Sequence, residues 1–361
     1  MKFIFIVQGE GRGHMTQAIS LFQLLKSEGH EIQHVIVGKS RRRELPSFFV
    51  KNIEAPITQL ASPNFVTDRN SKSVSIFKTL VVNLARLPIY LRSIRKIDSI
   101  VKQENPHTIV NFYDFLSGLY FLVKNPKVRH VAIAHQFLLN HSTFEFPKGR
   151  IYDRFSLLAG NRFAGFRAKN LLCLSFQDMQ DEPKRRLTVV PPLLRKEVKN
   201  QAVSRDAFFL VYMVNHGYSE QVKAFHKEHP DIALHCFWDK KDAPNELQID
   251  ENLTFHRLDD QKFIDFMSSC KGYLSTAGFE SICEAMYMGK PVLMVPVKGH
   301  FEQSCNALDA KKAGAGISSE NFDLTLLLEY LPTYKEVKDE FQAWCAKTDQ
   351  LFLQNLTEND H

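Results

Sequence analysis

The stretch from Tyr273 to Gly316, with the sequence YLSTAGFESICEAMYMGKPVLMVPVKGHFEQSCNALDAKKAGAG, decides the fold of this chain. Its pattern predicts a strand, a small-residue turn, a helix, a buried strand, a loop and another helix. The turn Ser275–Gly278 lies where a parallel strand passes into a helix N-terminus, whose unpaired N–H groups and dipole attract phosphate. Glu284 lies inside that helix, and the loop that ends at Glu302 and Gln303 returns polar side chains toward the turn. One segment can therefore hold a diphosphate, a ribose and a hexose.

A strand followed by glycine and a helix occurs throughout α/β proteins and by itself indicates little. Here the order S-T-x-G-F-x-S-x-x-E is followed by G-K-P-V-L-x-V-P, E-Q, N-A and G-A-G, which is far more specific. This order resembles the donor-binding region of nucleotide-sugar glycosyltransferases with the GT-B fold. The resemblance is closest to the branch that holds the UDP-glycosyltransferases and the lipid-linked N-acetylglucosaminyltransferase of peptidoglycan synthesis.

The resemblance implies a role for each matching residue around the turn. Thr276 stands where many relatives have a phosphate-binding His; its hydroxyl can donate to a phosphate but carries no charge. Gly278 and Phe279 match the Gly-Trp pair that opens the helix, and Ser281 matches the serine that faces the α-phosphate. Glu284 matches the glutamate that accepts hydrogen bonds from both ribose hydroxyls.

The resemblance also assigns residues to the transferred sugar. Glu302 and Gln303 match an acidic-Gln or Gln-Gln pair that reads its hydroxyls, and His300 and Asn306 are further contacts. The chain departs from the family after the first strand of its second half, where relatives often have a second phosphate loop rich in Gly and Ser. Asn215, His216 and Gly217 stand in that place and can serve instead, but the difference weakens the prediction for the diphosphate.

Length and composition indicate a two-domain protein, because 361 residues with 44% hydrophobic content suffice for two cores. Gly9 breaks the apolar run of the N-terminus, which predicts a buried strand rather than a signal peptide. The sequence contains no run of about 18 apolar residues, which is the length that would predict a membrane-spanning helix. The six cysteines lie apart, which argues against a zinc site or a disulfide framework and favours reduced thiols in the cytoplasm.

The net charge of +6 is divided unequally along the chain. Residues 1–200 hold 31 Lys and Arg against 15 Asp and Glu, a net of +16, and residues 201–361 carry a net of −10. This asymmetry predicts two domains with different partners. The basic half suits an anionic partner such as a membrane surface, a lipid phosphate or nucleic acid.

Strands alternate with helices on both sides of a linker at Pro191–Gln201. This pattern predicts an α/β chain with two doubly wound, Rossmann-like domains. We expect an acceptor-binding domain at 1–195 and a nucleotide-sugar-binding domain at 202–330. The resemblance implies that helices at 331–361 pack back on the first domain, and that the two domains face each other across a cleft, as in GT-B enzymes.

Three glycines follow the first strand, at positions 9, 11 and 13, and permit close backbone approach. Their spacing differs from the dinucleotide fingerprint G-x-G-x-x-G, so a dinucleotide site is a weak interpretation. His14 opens the next helix, where the helix N-terminus favours the neutral form that a general base needs; helix capping or packing is the alternative. The placement resembles the first glycine-rich loop of UDP-glycosyltransferases, where a His deprotonates the acceptor hydroxyl. Gly11 and Gly13 then lie on the acceptor side.

Asp114 follows a buried strand and is the predicted partner of His14. In plant-type relatives an Asp from a similar place orients the His, and a carboxylate on the second imidazole nitrogen stabilises the imidazolium. A solvated aspartate at a strand end is the alternative. His135 and Gln136 follow the next strand and are predicted to line the acceptor pocket.

The sequence has no D-x-D triplet, the usual Mn²⁺ or Mg²⁺ clamp of the other glycosyltransferase fold, and no Cys or His spacing indicates a metal or other cofactor. The helix N-terminus at Gly278–Ser281 can stabilise a leaving diphosphate electrostatically. The family branch implies inverting transfer by a single displacement, in which His14 takes the acceptor proton.

Two segments suggest a lipid-linked acceptor on the inner membrane face: Val74–Lys102, which Pro88 is expected to kink or split, and the aromatic and basic Arg150–Asn170. An ordinary solvated helix is the alternative, and the donor motif argues against nucleic acid. Three functions stay open. They are a UDP-sugar glycosyltransferase acting on a lipid-linked or cell-envelope glycan precursor, a nucleotide-sugar 2-epimerase, and a non-catalytic nucleotide-sugar binder.

Overall fold

The first strand, β1 (Lys2–Val7), lies inside a sheet with its last five residues buried, as its apolar sequence predicts. The computed structural model describes residues 1–39, 45–63, 76–213, 216–240 and 242–357. The chain divides into two compact units. The first comprises Met1–Phe144, Lys148–Arg195 and Trp344–His361, and the second comprises Glu145–Pro147 and Lys196–Ala343. In this division the chain returns to the first unit at Trp344.

The first unit is a parallel sheet with helices between its strands. Its further strands are β2 (Glu31–Lys39), β3 (Ile57–Ala61), β4 (Thr108–Phe112), β5 (Arg129–Ala134), β6 (Asn170–Leu174) and β7 (Leu187–Val190). Its helices are α1 (Arg12–Ser27), α2 (Ser47–Asn52), α3 (Ile76–Ala85), α4 (Leu87–Glu104), α5 (Phe115–Lys124) and α6 (Ile151–Ala164). The strand order is β3-β2-β1-β4-β5-β6-β7, so the direction of winding reverses between β1 and β4. Ligands of doubly wound sheets bind at such a reversal, beyond the carboxyl ends of the strands.

Helix packing on this sheet follows the apolar pattern of the sequence. In α4 the buried residues Ile94, Ile97 and Ile100 recur at helical spacing and pack against β1 residues such as Ile4 and Ile6 in one hydrophobic cluster. Val7 of β1 pairs with Phe112 of β4, so the two strands end level with each other. The loops that follow them therefore emerge side by side.

The second unit has the same architecture. Its strands are β8 (Phe208–Met213), β9 (Ala233–Trp238), β10 (Glu246–Gln248), β11 (Leu253–Arg257), β12 (Gly272–Ser275), β13 (Val292–Met294) and β14 (Gly316–Ser318). Its helices are α7 (Lys196–Lys199), α8 (Ser219–Glu228), α9 (Asp260–Ser269), α10 (Phe279–Tyr287), α11 (Phe301–Lys312), α12 (Thr325–Tyr330) and α13 (Lys338–Cys345), of which the last continues into the first unit. The order β10-β11-β9-β8-β12-β13-β14 reverses between β8 and β12, and the pairs are parallel except for β10 with β11. These two sheets confirm the prediction of two doubly wound domains.

The last helix, α14 (Thr348–Thr357), belongs to the first unit. Arg129, at the start of β5, donates a hydrogen bond to the carbonyl oxygen of Asn355 at 2.8 Å. Just before this helix, the indole nitrogen of Trp344 donates to the carbonyl oxygen of Ser175 at 3.0 Å. Both contacts join the end of the chain to the first sheet.

At the edges of the two sheets, β14 pairs with β13 and β3 pairs with β2. Residues 64–75, which include the start of the predicted segment at Val74, lie outside the described residues. The helix break predicted at Pro88 is confirmed, because α3 ends at Ala85 and α4 begins at Leu87. In the part of the chain that the structure describes, no helix is long and apolar enough to cross a membrane.

Candidate functional site

The residues predicted to lie on the acceptor side follow three neighbouring strands of the first sheet. Gly11 and Gly13 follow β1, Asp114 follows β4, and His135 and Gln136 follow β5. Because β1, β4 and β5 are adjacent and parallel, these residues lie at one edge of the sheet. The predicted acceptor-side set is therefore brought together by the strand order.

His14 is the third residue of α1 and is buried, with 8% of its surface exposed. Burial lowers the pKa of its imidazole to about 4, although the Gln17 side chain favours the charged form. The ring stacks on Tyr113, with ring centroids 5.7 Å apart and planes 20° from parallel. Its Nδ1 atom has no hydrogen-bond partner among the described residues. The imidazole is therefore held neutral at pH 7, as a general base requires.

Asp114 has other partners than the His14 imidazole. It is the N-cap of α5, where Oδ1 accepts from the backbone N–H of Leu116 at 2.8 Å and from the Ser62 hydroxyl at 2.6 Å. Burial raises the pKa of this carboxyl to about 6, against the hydrogen bonds from Ser62 and Leu116. In the described residues, no hydrogen bond joins Asp114 to His14. The local reason is capping, because an Asp before a helix satisfies the first free N–H groups.

His135 and Gln136 belong to a 3-10 turn, His135–Asn140, after β5. His135 faces the protein interior, where its Nδ1 donates to the carbonyl oxygen of Leu174 at 2.8 Å, and burial lowers its pKa to about 4. The carbonyl oxygen of Gln136 accepts from the Asn161 amide in α6. Asn161 in turn accepts from the Tyr113 hydroxyl, which connects this turn to the ring beside His14.

The phosphate turn predicted in the second unit lies at the winding reversal. After β12, Thr276 and Ala277 are buried, and Ala277 takes a left-handed conformation with φ of +45°. Gly278 is the N-cap of α10, and no side chain of the described residues caps this helix end. The first turn of α10, which includes Phe279, carries the positive end of the helix dipole.

Ser281 and Glu284 lie one turn apart in α10, and Glu284 is 3% exposed. Burial raises the pKa of the Tyr273 hydroxyl, while nearby Ser275 and Ser281 act against this and Glu284 adds to it. Tyr273 belongs to β12, the strand that leads into the predicted phosphate turn, and is fully buried.

The residues predicted for the sugar begin a helix rather than end a loop. His300 is the N-cap of α11, and Glu302 and Gln303 are in its first turn. The Gln303 side chain accepts from the backbone N–H of Val297 at 2.8 Å, which holds the preceding loop. One turn later, the buried Asn306 donates to the carbonyl oxygen of Ala277 at 3.1 Å. The residues predicted to bind the donor therefore lie on α10 and α11, and Asn306 joins α11 to the turn before α10.

Sequence reasoning missed three residues that organise these sites: Tyr113, Asn161 and Ala277. Tyr113 and Ala277 both have positive φ, a conformation that Gly and Asn favour, so their residue types give no signal. Asn161 is fully buried in the last turn of α6, and its role is visible only once the fold shows that it is buried. Asn215, predicted to replace a second phosphate loop, lies outside the described residues. Within the described ranges, no group of three or more His, Cys, Asp and Glu side chains could hold a metal ion.

The family model of glycosyl transferase family 1 matches residues 1–333 of the chain. A comparison with curated protein sequences gave no match. The family match confirms the predicted resemblance and the predicted enzyme class, a hexosyltransferase.

Solved structures share the fold over almost the whole chain. The glycotransferase of kitacinnamycin is 15% identical with a TM-score of 0.66, covering 98% of this chain and 99% of that one. The UGT2 protein of Phytolacca americana, complexed with UDP-2fluoro-glucose and pterostilbene, is 13% identical with a TM-score of 0.62, covering 98% and 96%. The spinosyn rhamnosyltransferase SpnG, complexed with thymidine diphosphate, is 13% identical with a TM-score of 0.56, covering 97% and 93%. These likenesses confirm the predicted GT-B fold and favour neither the epimerase nor the non-catalytic binder.

Proposed function

Because this chain belongs to glycosyl transferase family 1, we propose that it moves a hexose from a UDP-sugar to an acceptor hydroxyl by a metal-independent, inverting displacement. The observation that carries the donor half is the N-terminus of α10 at the winding reversal, which no side chain of the described residues caps, with the buried Glu284 as the sixth residue of this helix. The N–H groups of this helix end offer hydrogen bonds and positive potential to the diphosphate. Glu284 offers a carboxylate to the ribose hydroxyls.

The transfer itself needs a base and a stabilised leaving group. His14, neutral because it is buried, takes the proton of the acceptor hydroxyl as its oxygen attacks the anomeric carbon. The bond from that carbon to the diphosphate oxygen breaks, and UDP leaves with its charge held by the α10 N-terminus. A single displacement inverts the anomeric configuration. Glu302 and Gln303, in the first turn of α11, are the proposed contacts of the hexose hydroxyls.

Calorimetry with UDP, dTDP, GDP and ADP, in the absence of divalent metal, tests the donor site. We expect UDP to bind best, and Glu284→Ala to weaken its binding at least about tenfold, the effect of losing a hydrogen bond to a charged group. Glu329→Ala, an exposed glutamate in α12, is the matched control and should bind as wild type. Absence of binding by every nucleotide, or equal losses in both variants, contradicts the donor site; preference for dTDP contradicts only the choice of uracil.

The proposed base is tested separately from the donor site. His14→Ala should lower turnover by a factor of about 10² to 10⁴, the usual contribution of a general base, and leave UDP binding unchanged. Unchanged turnover in this variant contradicts the role of His14.

We also propose that the acceptor is lipid-linked and met at the inner membrane surface. The support is a surface on α6 where three large side chains are exposed: Ile151 by 77%, Tyr152 by 85% and Phe155 by 73%. Arg150 and Arg154 neighbour them in the sequence, and mixed aromatic and basic surfaces favour anionic bilayer interfaces.

Sedimentation with vesicles of phosphatidylglycerol or phosphatidylcholine tests this surface. We expect binding to the anionic vesicles, lost when Ile151, Tyr152 and Phe155 are all changed to Ser. Leu326→Ser removes an apolar side chain that is 45% exposed in the second unit and should leave binding unchanged. Equal binding by wild type and the triple variant, or none by wild type, contradicts the membrane proposal without affecting the donor site.

A further inference from the structure

In the part of the chain that the structure describes, the imidazole of His14 is not hydrogen-bonded to a carboxylate, the group that usually orients a catalytic histidine. Its Nδ1 has no hydrogen-bond partner among the described residues, and Oδ1 of Asp114 is bonded to Ser62 and Leu116. The ring face is instead covered by Tyr113. We propose that Tyr113 is a positioning residue that holds the His14 imidazole in its working orientation, a role that rests on the proposed function of His14 as the base.

The tyrosine ring is itself held from several sides. Its centroid lies 5.5 Å from that of Phe137, which meets it edge-on, and 5.8 Å from that of Phe115. Its hydroxyl donates to Asn161 Oδ1, and the Asn161 amide donates to the carbonyl oxygen of Gln136. Because the rings of Tyr113 and His14 are nearly parallel, rotation of the imidazole would break their stacking.

The backbone at this position supports a functional role. Tyr113, the first residue after β4, has φ of +56°, a conformation that bulky L-residues rarely adopt. Strain of this kind persists only where the surroundings enforce it, and it is concentrated at functional sites. The left-handed turn directs the Tyr113 ring toward α1 while the next residue, Asp114, caps α5.

A purely structural role is the competing explanation, and Tyr120 shows what it looks like. This tyrosine is fully buried in the hydrophobic cluster with Ile94 and Leu116, and its hydroxyl has no hydrogen-bond partner among the described residues. It belongs to neither candidate site. Tyr120→Phe therefore makes the same substitution at another buried ring, but it removes no hydrogen bond and no link to His14.

Titration of His14 by NMR, together with the pH dependence of kcat, separates the two explanations. The His14 resonance is assigned by its loss in His14→Gln, so the readout does not depend on turnover. In Tyr113→Leu we expect the pKa of His14 to rise from about 4 toward its ordinary 6.5, because water reaches the uncovered ring face. We expect kcat at pH 7 to fall at least about tenfold, with KM for the donor unchanged.

Tyr113→Phe keeps the ring and loses only the hydroxyl link to Asn161, so kcat should fall about fivefold. Tyr120→Phe should leave both the pKa of His14 and kcat unchanged. The positioning role is overturned if folded Tyr113→Leu titrates His14 as wild type does. It is also overturned if Tyr113→Phe and Tyr120→Phe behave alike, which decides the matter even where the Leu variant does not fold. Retained turnover in His14→Ala contradicts the role of His14 as the general base. The NMR titration of His14 still shows whether Tyr113 covers its ring.

Discussion

Asn306 and Ala277 are joined by a hydrogen bond of 3.1 Å, from the side-chain amide of α11 to the carbonyl oxygen of the phosphate turn. Both residues are buried, and Ala277 has a left-handed backbone. The shape of the turn before α10 is therefore held by a side chain from the next helix.

We predict that Asn306→Leu weakens both the fold and the donor site. The buried carbonyl of Ala277 loses its partner, which costs about 1–3 kcal/mol of the free energy of unfolding. UDP affinity should also fall, because the turn is no longer held. Urea unfolding and calorimetry measure the two effects, and Asn321→Leu, at an exposed position, is the control. Unchanged UDP affinity in a destabilised Asn306→Leu protein would show that UDP binding does not depend on how this turn is held.

A methyl group at position 278 should affect the ligand and not the fold. Gly278 has φ of −76°, and the nearest atom to an added Cβ is Ser281 Oγ at 3.7 Å, so Gly278→Ala meets no clash. The free energy of unfolding should stay within about 0.5 kcal/mol of wild type. A diphosphate that approaches this backbone is displaced by the methyl group, and we expect UDP affinity to fall about tenfold. Unaltered affinity would mean that the phosphates bind elsewhere.

The pH profile of the wild-type enzyme should extend unusually far into acid. A general base acts in its neutral form, and burial lowers the pKa of His14 to about 4. Turnover should therefore persist as the pH falls below 6.5, where an ordinary His is half protonated, and decline only near pH 4. Initial rates between pH 4 and 8, with circular dichroism to check folding, test this. An acid limb centred near pH 6.5 contradicts it.

Asp309 should make stability depend on pH in the opposite sense to most carboxylates. Burial raises its pKa from 3.8 to about 7, so the folded protein binds this proton more tightly than the unfolded chain. Its contribution to the free energy of unfolding is fully present below about pH 4. As the pH rises from about 4 to about 7, that free energy falls by about 1.4 kcal/mol per pH unit. Asp309→Asn cannot ionise and should therefore melt above wild type at pH 8.

The melting temperature of Asp309→Asn relative to wild type, measured from pH 4 to 8, tests this dependence. The advantage of the variant should shrink toward pH 4. Asp242→Asn, at an exposed position, is the control. A constant difference across the range would mean that Asp309 is ionised throughout.

Local patterns in the chain were sufficient to predict the two sheets and the ends of their central strands. Buried strands such as β1 are continuous apolar runs, and Pro88 breaks a helix wherever the fold places it. Two edge strands, β10 and β3, are not predicted from the sequence, because a strand at a sheet edge need not be apolar. Both β10 and β3 lie at sheet edges with every residue at least partly exposed, so no apolar pattern marks them.

The candidate sites are likewise predictable only in part from the sequence. Parallel strands end at one edge of a sheet, so the order of strands and polar residues is enough to predict that Gly11, Asp114 and Gln136 lie together. Which side chains touch depends on packing between segments far apart in the chain. Asp114 caps its own helix, Tyr113 covers His14, and Asn306 holds the turn at Ala277. Strand periodicity and helix capping are local and can be read along the chain, whereas these contacts arise only when the sheet brings its loops together.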